Sequence, residues 1–546
     1  MPDAEADNSS TTDPEAGSDQ RRRTPALHPL MFAVYPVLAL LAHNFSQTPL
    51  RDTIRPFAVS IGVMLLVWAI CLLLSRSVRK SAIVASTVVL VLFSYGQIEN
   101  AAPAPAGPLV LPACIIAVLA VVASVWRTRR PLYDTTAVLN LVGIVLVVSP
   151  GWQIFTASAH ARQAQNGNQK PATVVTHRKL GPSLPGAPDV YYIVLDAHAR
   201  ADRLKQFYQY DESGFIHELE KRGFYVARSS GANYNQTPLC LASALNMEYL
   251  DAAKQELSHE GLRKMVDDSA VADALQDHGY HYINVWSGLE ESRVDTAERV
   301  FNDQKDLSAF EDQALNLTAV GAHSKVRLQR YDNHRARILG VFSGLLSASE
   351  MPSPKFVFAH ALCPHPPFVL GPNGEFLYPA GAITLADGSW LLSQITTDQY
   401  RAGYIGQLQF ADRRVLETID AILARSKVQP IIIIQGDHGS RMTLDWDSVQ
   451  NTDLREPFSI LNAYLVPAKA KSKLYPTITP VNSFRLVLSD LLSAHLNKLQ
   501  DRSFYSTSNE PYKFTEVTHL IPDDSVPPKL PTKSGPTRAQ MPTSVQ

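Results

Sequence analysis

Hydrophobic and polar positions along the chain form two successive patterns. In the first third, apolar windows fall at about 27–43, 56–75, 80–96, 108–126 and 136–155, each close to the length that crosses a bilayer. The first window is short and contains Pro36. Beyond residue 187 the apolar stretches shorten. YYIVL, KFVFAHAL and IIIIQG are β-branched and aromatic runs of the kind that form strands buried on both faces, and HYINVW reads as a further strand. Apolar residues recurring at three and four predict helices in SGFIHELEKRGF and in QYRAGYIGQLQFADRRVLETIDAILAR. The pattern as a whole predicts an N-terminal transmembrane bundle of about five helices, followed by an α/β domain with a central, mostly parallel sheet.

The expected boundaries are a disordered cytoplasmic segment at 1–26, the bundle at 27–156, a Gly, Pro and Gln-containing linker at 157–187, the α/β domain at 188–519 and a disordered tail at 520–546. Overall charge excludes a nucleic-acid role, because 50 basic and 51 acidic residues leave a net of −1 with no long basic stripe. Local charge is informative. Arg21, Arg22 and Arg23 precede the first window, Arg76, Arg79 and Lys80 follow the second, and Arg127, Arg129 and Arg130 follow the fourth. By the positive-inside rule these joints and the N-terminus are cytoplasmic, against only Arg51 and Arg55, so an odd number of spans carries the α/β domain to the periplasmic or extracellular side of the cell (inner) membrane. The long, mixed-charge segment before the first window does not read as a cleavable signal peptide.

The chemistry gathers at the ends of the strand-like runs. Asp196 closes YYIVL and Asp437 follows IIIIQG, and in open α/β sheets the crevice lies beyond the carboxyl ends of the strands. KFVFAHALCPHPPF can bring His360 and His365 to the same edge, and His438 follows Asp437. Carboxylates, imidazole and the Thr237 hydroxyl make an oxygen and nitrogen donor set that suits Mn²⁺, Zn²⁺ or Mg²⁺. Thr237 precedes Pro238, which favours a helix start there, and a helix N-terminus turns free N–H groups toward a tetrahedral anion. An ordinary hydroxyl needs a bound cation to become a nucleophile. Taken singly, each residue has a plainer reading: an Asp after a strand as a turn residue, Thr-Pro as an N-cap, either histidine as structural. It is their occurrence together and in this order that points to a site.

That order, Asp196, Thr237, the HALCPHPPF segment and Asp437-His438-Gly439, resembles the sulfatase-like branch of the alkaline phosphatase superfamily over about residues 188–467. It is most similar to membrane enzymes of the lipoteichoic acid synthase and phosphoethanolamine transferase kind. The resemblance implies an alkaline-phosphatase-like α/β sandwich, one divalent metal held by Asp196, Thr237, Asp437 and His438, and a Thr237 that becomes covalently loaded. It implies that His365 or His360 handles protons. Cys240 opens CLAS without the Pro and Arg of a formylglycine motif, and Ala197 stands where two-metal relatives carry further acids. The synthase-like relatives commonly carry Glu at the first ligand position, where this chain has Asp196.

The expected activity is therefore that of a membrane-bound hydrolase or transferase of phosphate or sulfate esters, moving a phospholipid headgroup onto an envelope glycan. Alternatives are a hydrolase of sulfated or phosphorylated glycans, and a non-catalytic envelope-polymer binding component, against which the complete ligand set argues. Arg441 is a candidate for a substrate anion or a solvent-facing ion pair, and Trp286 for stacking on a headgroup or for the core. Tyr404, Phe410 and Asp412 read as packing and capping positions. Of the four cysteines, Cys71 and Cys114 fall in apolar windows, while Cys240 and Cys363 invite the hypothesis of a disulfide bracing the pocket.

Overall fold

The computed structural model describes residues 25–43, 45, 48, 50–102, 107–165, 180–182, 186–251, 257–303, 307–322, 324–378 and 385–521. Most of the expected terminal segments and linker, and Arg21, Arg22 and Arg23, lie outside the described residues. The chain divides into two compact units.

The first unit holds the N-terminal helices. Four of them, over Leu50–Ser75, Val78–Glu99, Leu109–Arg127 and Tyr133–Thr156, are long and apolar enough to cross a membrane, whereas His28–His43 is a shorter apolar helix containing Pro36. The last helix continues to Gln165, past the expected boundary at 156. Its extension, ASAHARQAQ, is too polar to register in an apolar window but is rich in good helix formers. Buried polar groups among these helices include Asn140, which accepts from the backbone N–H groups of Leu27 and His28 and donates to the Pro25 carbonyl, and His28, whose Nδ1 lies 2.6 Å from Ser86 Oγ. Leu307–Val326 also belongs to this unit. Its helix Ala309–Asn316 starts with a Ser308–Glu311 capping box and packs Phe310 and Ala314 against Val37, Leu40 and Leu41.

The second unit is built on a seven-stranded sheet. In chain order its strands are β1 (Val190–Leu195), β2 (Tyr225–Val226), β3 (His281–Val285), β4 (Arg299–Phe301), β5 (Lys355–Ala361), β6 (Ile431–Gln435) and β7 (Asn462–Leu465), and in space they run β2-β7-β6-β1-β5-β3-β4. β6, β1, β5, β3 and β4 are parallel, and the edge pair β7 and β2 is antiparallel. The expected α/β architecture with a mostly parallel sheet is thus what forms. Every residue of β1, β5 and β6 is buried, which is why their sequences read as unbroken apolar runs. Alternation along the strands sorts them between two layers. Val190, Tyr192 and Val194 face one core with helices Thr237–Asn246 and Pro480–Leu491, while Tyr191, Ile193 and Leu195 face the other with Ser324–Ser349 and Thr397–Arg425.

The two layers dispose of the expected disulfide. Cys240 sits in the first core and Cys363 in the second, on opposite sides of the sheet, and both thiols are free. Cys240 Sγ instead meets the Tyr234 carbonyl at 3.2 Å, and Cys363 Sγ the Gln407 carbonyl at 3.7 Å. Burial pushes both thiols well above their ordinary range, as expected of inert, packed cysteines.

Candidate metal centre and active site

Sheet order decides which side chains meet. β6, β1 and β5 are neighbours and point the same way, so Asp437 beyond β6, Asp196 beyond β1 and His360 near the end of β5 arrive at one edge. His360 pairs in register with Val194, which puts it on the face that carries helix Thr237–Asn246. That helix begins at Thr237 with Pro238 in its first turn, and its N-cap residue Gln236 makes no side-chain capping bond.

The centre is a convergence on one nitrogen. His438 Nε2 lies 3.2 Å from Thr237 Oγ1, 3.3 Å from Asp196 Oδ1 and 3.2 Å from Asp437 Oδ2. Its other ring nitrogen, Nδ1, is 2.8 Å from the Gly439 carbonyl. A carbonyl can only accept, so Nδ1 carries the proton, and a neutral ring directs its Nε2 lone pair at three oxygens. His360 lies against the same carboxylate, with Nδ1 2.9 Å from the Ser287 hydroxyl, which can donate or accept, and Nε2 3.3 Å from Asp196 Oδ2. Asp196 Oδ1, Asp437 Oδ2 and His360 Nε2 are buried without hydrogen-bond partners. Two buried carboxylates facing the His438 lone pair are unfavourable unless a cation lies among them, so the donor set fits a divalent metal.

The backbone around these ligands is built to bring them close. Ala197 has φ +66° and its N–H donates to Asp437 Oδ1 at 3.1 Å, so the turn after β1 hands one carboxylate's partner to the other. A Cβ on Gly436 would sit 2.4 Å from the His198 carbonyl, and one on Gly439 would sit 2.0 Å from the Glu456 carbonyl. Glycine is therefore required on both sides of Asp437-His438.

No protein-family model and no curated protein matches the chain. Among solved structures, the zinc complex of the C-terminal periplasmic domain of EcEptC from Escherichia coli is similar at 12% identity with a TM-score of 0.40, covering 62% of this chain and 96% of that one. The integral membrane protein lipooligosaccharide phosphoethanolamine transferase A (EptA) from Neisseria meningitidis is similar at 12% identity and a TM-score of 0.37, over 85% of this chain and 95% of that one. BT1596, a 2-O GAG sulfatase, stands at 12% and 0.38, over 60% and 76%.

The remaining sequence candidates lie around the centre in different ways. His365 is tied to it through the backbone, its N–H donating to the Asp196 carbonyl at 3.1 Å, and its Nε2 lies 3.9 Å from Asp387 Oδ2. Arg441 is buried, not solvent-facing: it is 1% exposed, donates from Nη2 to the Asn235 carbonyl at 2.8 Å and lies 5.0 Å over the Trp446 ring. Trp286 is packed into the wall, with its indole N–H on the Leu289 carbonyl at 2.7 Å and the guanidinium groups of Arg293 and Arg337 over its ring. Tyr404 spans the turn after Asp196, donating to the Ala197 carbonyl and accepting from the Ala199 N–H.

Sequence reasoning missed two buried acids. Asp412, taken as a packing and capping position, lies 2.9 Å from His198 Nε2. Glu456 is fully buried and accepts from Tyr208, Ser440 and the backbone N–H groups of Met442 and Thr443, so it fixes the loop that carries Arg441. Neither follows a strand or sits in a recognisable motif, and it is burial that marks them.

Proposed function

We propose that this protein is a membrane-bound, metal-dependent enzyme of phosphate or sulfate esters that uses Thr237 as its nucleophile and transfers a phospholipid headgroup to an envelope glycan. The observation that carries the reading is the convergence of Thr237 Oγ1, Asp196 Oδ1 and Asp437 Oδ2 on His438 Nε2, with Nδ1 fixed by the Gly439 carbonyl. Asp196, Thr237, Asp437 and His438 would hold one divalent cation, with His360 Nε2 facing the same Asp196 carboxylate. Such a cation lowers the pKa of the threonine hydroxyl and offsets charge on the ester.

The chain's own groups do the rest. Thr237, its hydroxyl proton released to solvent beforehand, attacks the phosphorus or sulfur through Oγ; a new Oγ–P or Oγ–S bond forms and the bond to the leaving oxygen breaks. His365 in its protonated form gives a proton to the departing alkoxide. In the second half it takes one from the acceptor hydroxyl that displaces Thr237. The uncapped first turn of Thr237–Asn246 faces the anion, and the buried Arg441, whose Nε has no hydrogen-bond partner, offers a further donor to it. The four helices long and apolar enough to cross a membrane favour a lipid donor, since they tether the chain to a bilayer. The topology that follows from the positive joints places the α/β unit outside the inner membrane.

The test is intact-mass and peptide mass spectrometry of the protein purified from its own membrane. A headgroup-sized adduct on Thr237, absent from Thr237→Ala, is the expected result and names the donor by its mass. Metal-loaded protein whose activity on lipid and on ester substrates survives Thr237→Ala overturns the assignment.

A further inference from the structure

A second cluster of metal-ligating side chains is built into the same unit, from residues that the Thr237 site does not use. His198 follows the turn after β1, Glu212 immediately precedes helix Ser213–Lys221, and Asp412 lies midway along helix Thr397–Arg425. All three are buried, with Glu212 1% exposed. His198 Nε2 is 2.9 Å from Asp412 Oδ1 and 3.6 Å from Glu212 Oε1. One ligand atom from each can be chosen so that all lie within 4.8 Å of one another. We propose that His198, Glu212 and Asp412 form a second divalent-cation site, of Zn²⁺ or Mn²⁺ type, that braces the Asp196 turn.

Two observations support this. First, His198 Nδ1 is 3.1 Å from the Ala199 carbonyl, which fixes the proton there and leaves Nε2 facing the two carboxylates, the orientation of a metal-ligating histidine held by a backbone acceptor. Second, both carboxylate oxygens of Glu212 and Oδ2 of Asp412 are buried without any hydrogen-bond donor. A protonated imidazole would neutralise one carboxylate and leave the other buried and unpaired, whereas a divalent cation neutralises both and fills the empty acceptor positions.

One imidazole nitrogen and two carboxylates are a borderline donor set that suits Zn²⁺ or Mn²⁺ better than Ca²⁺. The position suggests a structural role. The His198 carbonyl accepts from Leu461 N–H at 3.1 Å and closes on Gly436, next to Asp437, and Tyr404 ties Ala197 to Ala199. A cation here would hold the backbone on which Asp196 and Asp437 meet. The inference does not depend on Thr237 being the nucleophile.

The test is metal counting on full-length detergent-purified protein, stripped with chelator, reloaded with Zn²⁺ and desalted. Wild type is expected to retain about two equivalents, and Glu212→Gln and Asp412→Asn about one. In each of these, the remaining equivalent should disappear on adding Asp437→Asn. Unchanged zinc in Glu212→Gln, with the whole content lost in Asp437→Asn alone, overturns the second site while leaving the first intact. If the Glu212 and Asp412 variants fail to fold, anomalous scattering from zinc-loaded wild-type crystals decides. A peak about 2 Å from His198 Nε2 supports the site, and its absence refutes it.

Discussion

Replacing Glu456 by glutamine tests whether the loop bearing Arg441 is fixed by hydrogen bonds to one buried acid. Its Oε1 accepts from Tyr208 Oη at 2.6 Å, Ser440 Oγ at 2.8 Å and Met442 N–H at 3.1 Å, and Oε2 accepts from Thr443 N–H at 2.6 Å. Glutamine has one acceptor oxygen and one donor nitrogen. With its oxygen in the Oε1 position, the amide nitrogen opposes the Thr443 N–H. With the oxygen at Oε2, it opposes the Met442 N–H. The two hydroxyls can rotate to accept, but a backbone N–H cannot, so both orientations leave one buried donor against another, at a cost of about 1–3 kcal/mol. At ~2.1 cal/mol/K of unfolding entropy per residue, ~2 kcal/mol lowers the midpoint of a unit of well over 300 residues by about 3 °C. Tyr208→Phe removes one donor while two others still serve Oε1, and should cost about 1 kcal/mol. The assay is thermal unfolding of the full-length protein in detergent, followed by tryptophan fluorescence, with metal content measured in parallel. Metal content should match wild type, because no ligand is touched. A Glu456→Gln midpoint equal to wild type, or a Tyr208→Phe loss larger than that of Glu456→Gln, would refute the donor-against-donor reasoning.

Two further predictions concern the backbone and pH. Gly439→Ala drives a Cβ against the backbone carbonyls of Glu456 at 2.0 Å and Ser459 at 2.7 Å, neither of which can move as a side chain does, and should destabilise by ~3 kcal/mol or more and lower metal retention at the adjacent His438. In Gly214→Ala, where a helical Cβ meets open space, the midpoint should rise slightly, and equal effects at the two glycines would sink the argument. Burial, aided by the charges on Arg337, His365 and Arg335, lowers His334 to about 3. Between pH 6.5 and 3 the unfolded chain thus binds a proton that the folded one refuses. This stability is full above 6.5 and is lost as pH falls, at about 1.4 kcal/mol per unit, or about 2 kcal/mol by pH 5. His334→Leu should shrink the difference in thermal midpoint between pH 7 and pH 5, and a variant whose midpoint drops as far as wild type over that range counts against a buried neutral His334.

Much of the architecture was legible because the signals for it are local. YYIVL, KFVFAHA and IIIIQ declare strands buried on both faces by composition alone, and an acid just past such a strand lies at the sheet's carboxyl edge whatever its neighbours. The Thr237 helix start is written in Thr-Pro, and the apolar helices in their length and hydropathy. What the sequence by itself determined, then, is the element types, the two-part organisation and the residues placed at strand ends. Tertiary structure alone decided who meets whom. That β6, β1 and β5 are neighbours brings Asp437, Asp196 and His360 to one cation-sized space. The sheet also puts Cys240 and Cys363 on opposite sides, and the packing of Leu307–Val326 assigns it to the N-terminal unit. His198, Glu212 and Asp412 come from a turn, a helix entry and a helix middle. Hydrophobic periodicity reports which face of an element is buried, but the pairing of buried polar groups depends on strand order, register and helix placement, which no local stretch of sequence encodes.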